Sequence, residues 1–282
     1  MKRLVVTADD FGLAPEVNDA IEQAHGDGVL SAASLMVGAP AAADAVARAQ
    51  LMPRLRVGLH LVLVEGRPVA PTEEIRDLVG GSGRLRTDLA AYGLAIMIRP
   101  AVRRQLRTEI RAQFEAFRAT GLSLDHVNAH QHYHLHPAIV TELLDIGRDY
   151  GMDALRVPFE PGALLRAVEP TPRSMVTRLA APWAALARAR ASAAGLIVAD
   201  RVFGLAWSGA MTETRLAGLI AGLPTGWTEI YTHPATAQEF PGSAAGYRYH
   251  EELSALLSPI CRDALRHSGA ALGGYSDFAG VN

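Results

Sequence analysis

Short apolar runs alternate with amphipathic stretches along most of the chain. Leu4 to Ala8 is a mostly β-branched or apolar run and predicts a strand that is buried on both faces. Pro15 to Asp27 carries apolar residues at helical spacing and is followed by Gly28, which predicts a helix. The same reasoning predicts further strands over residues 31–37, 55–61, 124–128, 154–157, 200–203, 227–232 and 270–275. It predicts further helices over residues 41–50, 100–120, 137–150, 173–195 (interrupted at Pro182), 212–222 and 251–266.

Seven or eight strand–helix units in one chain of 282 residues predict an α/β fold, a single-domain (β/α) barrel that is distorted and spans residues 1–282. A doubly wound open sheet is the alternative, but no phosphate-binding GxGxxG turn follows the first strand. Residues 65–100 break the alternation and are rich in Gly, Pro and polar residues. We expect this segment to be an inserted loop or lid beside an active site.

Composition narrows the class of protein. The chain is 49% hydrophobic and 20% charged with a net charge of −2, which is typical of a globular protein and does not favour nucleic-acid binding. Cys261 is the only cysteine, so disulfides and thiolate metal sites are excluded. Lys2 is the only lysine, which excludes Schiff-base chemistry on an internal lysine. No run has the length of a signal-peptide core or a membrane span, so we expect a cytoplasmic protein.

Acidic and histidine side chains stand where several predicted strands end. Asp9 and Asp10 end the first strand, His60 ends the third, and His233 ends the seventh. The carboxyl ends of barrel strands meet at one rim, so these side chains are expected to share a metal or catalytic site. Each alone has a simpler interpretation, namely a turn or helix cap for the two aspartates and a structural role for a histidine. Glu229 and Asp277 are also expected near the rim, without an assigned role.

A histidine run follows the fourth predicted strand. His130, His132, His134 and His136 alternate, so an extended backbone would place them on one face, where they would suit a divalent metal and a polar pocket. A metal-storage tract or a solvated loop is the alternative. One Asp and two His ligands serve either metal-assisted hydrolysis or a non-haem iron oxygenase. Asp9 favours hydrolysis because it supplies a general base beside the metal.

Four stretches together resemble the YdjC-like carbohydrate deacetylase family of the chitooligosaccharide deacetylase type. They are Thr7 to Leu13, Gly58 to Leu61, His130 to Pro137, and Tyr231 to Pro234. Within that family, Asp125 to His130 most resembles the hopanoid biosynthesis-associated branch (HpnK), with Asn128 where the sugar-oligomer branch has an aspartate.

The resemblance implies a metal-dependent deacetylase on a distorted barrel. Asp10, His60 and His130 correspond to the metal ligands, Asp9 to the catalytic base, and His233 to the histidine near the leaving group. The ion would be divalent, one of Mg, Zn, Mn, Co or Fe. We expect His132, His134 and Arg156 to contact substrate; Arg156 could instead orient Asp9 or lie on the surface.

The hopanoid branch implies removal of acetyl from N-acetylglucosaminyl hopanoid. The alternatives are a deacetylase of soluble chitooligosaccharides and a metal-dependent sugar-binding protein without turnover. The resemblance also suggests a homodimer. Because a hopanoid substrate stays in the bilayer, we expect peripheral contact with the inner face of the membrane. The expected contact is the 173–195 helix, which combines an apolar stripe with arginines, namely Leu179, Trp183, Leu186, Arg173, Arg178, Arg188 and Arg190. The alternative is an outer barrel helix whose stripe packs on a strand.

Overall fold

A parallel β-sheet forms the centre of the fold in the computed structural model, which describes residues 1–170 and 175–279, for 175–180 without side chains. Arg173 and the side chains of Arg178 and Leu179 therefore lie outside the described residues. The strands in chain order are β1 (Lys2–Phe11), β2 (Ala32–Leu35), β3 (Arg56–Leu61), β4 (Val127–Ala129), β5 (Arg201–Phe203), β6 (Gly226–Thr232) and β7 (Ala271–Leu272).

The first strand is the middle of this sheet. The strand order is β4-β3-β2-β1-β6-β5, and β7 pairs with the first residues of β1. All these pairings are parallel, so the carboxyl ends of the strands lie at one end of the sheet. Every residue from Leu4 to Phe11 is buried, which confirms the prediction of a strand covered on both faces.

The two outer strands are joined by residues 154–159. Leu155 forms a parallel bridge with Val127 of β4, and Phe159 forms an antiparallel bridge with Val202 of β5. The predicted α/β fold with a distorted (β/α) barrel is thus confirmed. The strand predicted over 154–157 is wrong as a regular strand, because this segment makes only isolated bridges as it crosses between the sheet edges.

Helices cover the outside of the sheet. They are α1 (Pro15–Asp27), α2 (Ala42–Leu51), α3 (Leu89–Ile98), α4 (Pro100–Ala119), α5 (Pro137–Asp149), α6 (Gly162–Val168), α7 (Met175–Ala193), α8 (Glu213–Ala221), α9 (Tyr249–Leu257), α10 (Pro259–Ser268) and α11 (Tyr275–Phe278). Helix α7 continues through Pro182, so the predicted interruption there is wrong. The helix predicted over 251–266 is two helices, because Pro259 starts α10 and the Ser258 hydroxyl accepts a hydrogen bond from the Ile260 N–H.

Residues 65–100 contain more regular structure than expected. Helix α3 lies in this segment, and its sequence is apolar almost throughout, so it shows no amphipathic period that would predict it. Tyr92 and Ile96 are buried, whereas Leu94, Met97 and Ile98 are each more than half exposed. Within the described residues, no helix combines the length and hydrophobicity that crossing a bilayer requires.

Candidate active site

Asp9 and Asp10 end β1 with their side chains directed to different neighbours. Asp10 has a φ of +64°, and the pairing of β1 with β2 shifts register between Ala8 and Phe11. A positive φ is uncommon for residues other than Gly, but Asp is among the side chains that adopt it most readily, and here it marks a turn at the end of the strand. The irregularity turns Asp10 toward His60 and His130, whereas Asp9 faces Arg156.

Asp10, His60 and His130 form a candidate metal centre. Within the described part of the chain, they are the group of three metal-ligating side chains whose ligand atoms all lie within 4.8 Å of one another. His60 Nε2 lies 3.3 Å from Asp10 Oδ1, and His130 Nδ1 lies 3.4 Å from the same oxygen. The three residues come from the ends of β1 and β3 and from the residue after β4, so the parallel sheet brings them together.

The hydrogen bonds of Asn128 set the tautomer of His60 and so determine which atoms of the candidate metal centre can bind a cation. The Asn128 Nδ2 amide donates to Asp9 Oδ1 at 3.2 Å, which leaves Oδ1 of the amide facing His60 Nδ1 at 2.6 Å. His60 Nδ1 therefore carries the proton, and Nε2 presents a lone pair to Asp10 Oδ1. Both atoms are buried without a hydrogen-bond partner among the described residues. Two acceptors facing each other in a buried site are stabilised by a cation bound between them, so these residues fit a divalent metal.

Carboxylates control the charge of His130. Glu65 Oε2 lies 3.7 Å from His130 Nε2, on the side opposite Asp10. Burial disfavours the imidazolium, but the neighbouring carboxylates of Asp10 and Glu65 outweigh this effect and raise the pKa of His130 to about 10. The negative field that attracts a proton to this ring would also attract a metal cation.

Asp9 is held as an ionised carboxylate. Arg156 Nη1 donates to Asp9 Oδ2 at 2.5 Å. Burial would raise the pKa of Asp9, but the charge of Arg156 and its hydrogen bond to the carboxylate hold that pKa well below its ordinary value. Arg156 itself is 0% exposed and does not line the cavity. Three roles were expected for Arg156, and its contacts are those of a residue that orients Asp9.

The histidine run is not extended, so the expectation that its four rings share one face is wrong. Residues His130–Leu135 form a 3₁₀ segment in which Gln131 and His132 have positive φ values that turn the chain. His132 lines the cavity, and its Nε2 contacts the Tyr231 hydroxyl at 2.9 Å. His134 is fully buried, and its Nε2 contacts the Arg156 carbonyl at 2.8 Å. His136 lies beside Gly93 and Tyr133.

These surroundings keep two of the histidines neutral. Burial lowers the pKa of His134 to about 4 and that of His132 well below its ordinary value. His134 is therefore placed to hold the backbone beside Arg156, away from the cavity.

A cavity of about 640 Å³ opens onto the candidate metal centre. Asp9, His132 and His233 line it together with the three proposed ligands. The His233 ring lies between Tyr231 and Tyr247, with centroid distances of 5.8 and 5.1 Å, and its backbone N–H donates to the buried Glu252. His233 Nδ1 has no hydrogen-bond partner among the described residues. The structure thus brings His233 to the same cavity as Asp9, as expected from the strand ends.

Glu229 and Asp277 were both expected near the rim, and for Asp277 this expectation is wrong. Glu229 is fully buried and accepts hydrogen bonds from Arg156. Asp277 pairs with Arg56, the first residue of β3, so it lies at the opposite end of the sheet from the rim. Asn128 is likewise part of the site, because it bridges His60 and Asp9.

A parallel barrel with an Asp-His-His cluster at its carboxyl rim defines a class of α/β proteins with a candidate metal centre. Comparison with known proteins narrows this class, since residues 3–267 match the model of the YdjC-like protein family. A carbohydrate deacetylase of Geobacillus stearothermophilus is 30% identical over 278 residues, which is 97% of each chain. The chain belongs to the YdjC-like family.

Two further similarities differ in coverage. A carbohydrate deacetylase of Vibrio vulnificus (strain CMCP6) is 43% identical over 148 residues, which is 52% of this chain and 56% of that protein. The match thus spans about half the length of that relative. A crystal structure from Enterococcus faecalis V583, provisionally named a cellobiose-phosphate cleavage protein, has a TM-score of 0.75 at 23% identity and 99% coverage of both chains. That similarity concerns the fold.

Proposed function

We propose that this protein is a metal-dependent N-deacetylase of an N-acetylglucosamine-type amino sugar. The observation that carries the proposal is the pairing of a cation-fitting cluster, Asp10, His60 and His130, with the ionised Asp9 carboxylate at one cavity. Hydrolysis of an amide needs both an electrophile for the carbonyl and a base for water. The names of the carbohydrate deacetylase relatives support a sugar substrate.

The proposed ligands are Asp10, His60 and His130. A divalent ion held there would polarise the amide carbonyl and lower the pKa of a coordinated water. Two imidazoles and one carboxylate accept Mg²⁺, Mn²⁺, Zn²⁺, Co²⁺ or Fe²⁺. Asn128 fixes the tautomer of His60, and Glu65 faces the outer nitrogen of His130, which are the supporting contacts that metal-binding histidines require.

Asp9 and His233 divide the proton transfers in this proposal. Asp9 accepts a proton from the attacking water, because Arg156 and Asn128 hold its carboxylate ionised and fixed at the cavity wall. His233 donates a proton to the departing amine, because its unpartnered Nδ1 belongs to a ring that lines the same cavity. His132 remains the proposed substrate contact among the later histidines, since it lines the cavity whereas His134 does not.

We further propose a lipid-linked substrate, N-acetylglucosaminyl hopanoid, on the basis of the Asp125 to His130 stretch. Contact with the membrane fits α3 better than α7. Arg188 donates to the Ala199 carbonyl and Arg190 to the Pro137 carbonyl, so both guanidinium groups are engaged within the protein. Helix α3 instead exposes a contiguous apolar surface, with Leu94 at 60% and Ile98 at 65% exposure.

The experiment is a comparison of acetate release from N-acetylglucosaminyl hopanoid in vesicles and from N,N′-diacetylchitobiose in solution. We expect measurable acetate release from both substrates, with a higher kcat/KM for the lipid-linked sugar. A higher kcat/KM for the soluble sugar would favour the chitooligosaccharide alternative. Binding of both without acetate release would indicate a sugar-binding protein and contradict the proposal.

A further inference from the structure

A closed series of hydrogen bonds joins eight buried residues behind the cavity wall. None is more than 5% exposed, and of the eight only Asp9 lines the cavity. The members, in order around the series, are Asp9, Arg156, Glu229, Tyr275, Asp125, His126, Ser34 and Asn128. We call it the buried polar ring.

One half of the ring runs from Asp9 to Tyr275 through a salt bridge. Arg156 Nη1 donates to Asp9 Oδ2 at 2.5 Å, and Arg156 Nη2 donates to Glu229 Oε1 at 2.7 Å. The Tyr275 hydroxyl donates to the other oxygen of Glu229 at 2.6 Å. Burial raises the pKa of Tyr275 well above its ordinary value, so the hydroxyl keeps its proton.

The other half returns to Asp9 through β2 and β4. The Tyr275 backbone N–H donates to Asp125 at 3.1 Å, and Asp125 also accepts from His126 Nδ1 at 2.9 Å. The Ser34 hydroxyl lies 3.1 Å from His126 Nε2 and accepts from Asn128 Nδ2 at 2.8 Å. The same Nδ2 reaches Asp9.

Three carboxylates fix the direction of every bond in the ring. Asp9, Glu229 and Asp125 can only accept, so each group between them must donate toward a carboxylate. His126 therefore carries its proton on Nδ1 and accepts from Ser34 on Nε2. The Asn128 amide must turn its Nδ2 to Asp9 and its Oδ1 to His60. The orientation of the proposed ligand His60 and that of Asp9 are thus set by one network.

We propose that Tyr275, which contacts neither the cavity nor the candidate metal centre, is a positioning residue for Asp9 through its hydroxyl and for His60 through its backbone N–H. Its hydroxyl and backbone N–H are the donors that connect the two halves of the ring. Because the ring is buried, losing one donor leaves an acceptor that water does not readily satisfy. The neighbouring groups would then shift, and because Arg156 is bonded to Asp9, the Asp9 carboxylate would be displaced with it. This inference rests on the proposed function for its kinetic consequences.

The first test is Tyr275→Phe, which removes the hydroxyl. The aromatic side chain keeps its packing on His126 and Trp227. We expect kcat to fall about 10-fold with KM and metal affinity unchanged, since a small misplacement of a base lowers the rate of chemistry more than binding. Tyr92→Phe is the matched control. Tyr92 is equally buried, and its hydroxyl has no partner among the described residues.

The second test is Ser34→Ala, which breaks the other half beside Asn128. We expect the affinity for Co²⁺, measured by calorimetry and by the visible spectrum, to weaken about 10-fold because His60 loses its fixed amide partner. Ser31→Ala is the control, since Ser31 is a buried serine just before β2 that bonds to Val6 instead of the ring.

The outcomes separate positioning from simple stability. Lower kcat in Tyr275→Phe and weaker Co²⁺ binding in Ser34→Ala, each beyond its control, would support the inference. If both variants lowered only the melting temperature and matched their controls in kcat and Co²⁺ affinity, the inference would be wrong. Absence of acetate release by the wild-type protein would count against the proposed function alone, because Co²⁺ binding by Ser34→Ala tests the ring without turnover.

Discussion

Asp9 and Asp10 are adjacent, yet their carboxylates have opposite electrostatic partners. Asp9 is neutralised by the guanidinium of Arg156, whereas Asp10 faces the imidazoles of His60 and His130, each of which can exchange a proton for a metal ion. The first arrangement keeps a carboxylate ionised, and the second attracts an exchangeable cation. The division of labour proposed for the two residues therefore follows from which side of β1 each carboxylate reaches.

Replacing a proposed ligand should remove the metal. We expect His60→Ala and His130→Ala to retain less than about one tenth of the wild-type metal content after dialysis, because two remaining ligands bind a divalent ion weakly. The measurement is elemental analysis of the purified proteins. His136→Ala is a suitable control, since His136 lies beside Tyr133 outside the Asp-His-His cluster. Wild-type stoichiometry in both ligand variants would rule out this site.

Replacing His233 should affect chemistry and leave the metal in place. We expect His233→Ala to bind metal normally and to lose about 10²–10⁴-fold in kcat, the usual contribution of a general acid. Single-turnover kinetics on an N-acetyl sugar would measure this. Full activity of the variant would remove His233 from the proton transfers. Loss of metal would show that the His233 imidazole supports the candidate metal centre indirectly.

The sequence predicted where these side chains converge but not how they are supported. Asp10, His60 and His130 follow strand ends, and strand ends can be read from local apolar patterns. The contacts of Asn128 and Tyr275 could not be read in this way, because Asn128 reaches Asp9 across 119 positions and Tyr275 reaches Asp125 across 150. Such contacts depend on barrel closure, which no local pattern encodes.

Helix α3 is unusual because it exposes several large apolar side chains. Its exposed apolar residues lie on a segment that also contributes Tyr92 and Ile96 to the core, so the helix is anchored on one side only. The sequence pattern did not distinguish the two sides because nearly every residue is apolar. By contrast, α4 has a clear amphipathic period and was predicted with its end points nearly correct.

Polar substitutions on α3 should weaken binding to membranes. We expect Leu94→Ser with Ile98→Ser to reduce partitioning into phosphatidylglycerol-containing vesicles at least about 10-fold, because each buried aliphatic side chain contributes about 2 kcal/mol. Co-sedimentation at low and high salt is the measurement.

The matched control for this experiment is Leu51→Ser with Ile260→Ser, two similarly exposed aliphatic residues on α2 and α10. Equal partitioning of the two double variants would show that α3 has no special role at the membrane. Loss of partitioning by the α3 variant, with unchanged turnover of a soluble N-acetyl sugar, would place the effect on lipid access and leave the active site unchanged.

At the scale of the whole molecule, one end of the barrel collects residues from nearly the entire chain. Asp9 and Asp10 come from the first strand, and His233 follows the sixth strand of the described sheet. The alternating pattern predicted this convergence because parallel strands share a carboxyl end. It predicted a strand over 154–157, but it did not predict that residues 154–159 join the two sheet edges through isolated bridges, because bridges to distant residues leave no local pattern.

The central claim is that Asp10, His60 and His130 hold a metal for hydrolysis in which Asp9 is the base. The most direct measurement is acetate release from an N-acetylglucosamine substrate by wild-type protein and by Asp9→Asn, each after chelation and after metal is restored. We expect wild-type release to stop on chelation and to return with metal. Asp9→Asn should bind metal normally and release acetate about 10²–10⁴-fold more slowly. Undiminished release by the chelated protein, or by metal-loaded Asp9→Asn, would contradict the claim.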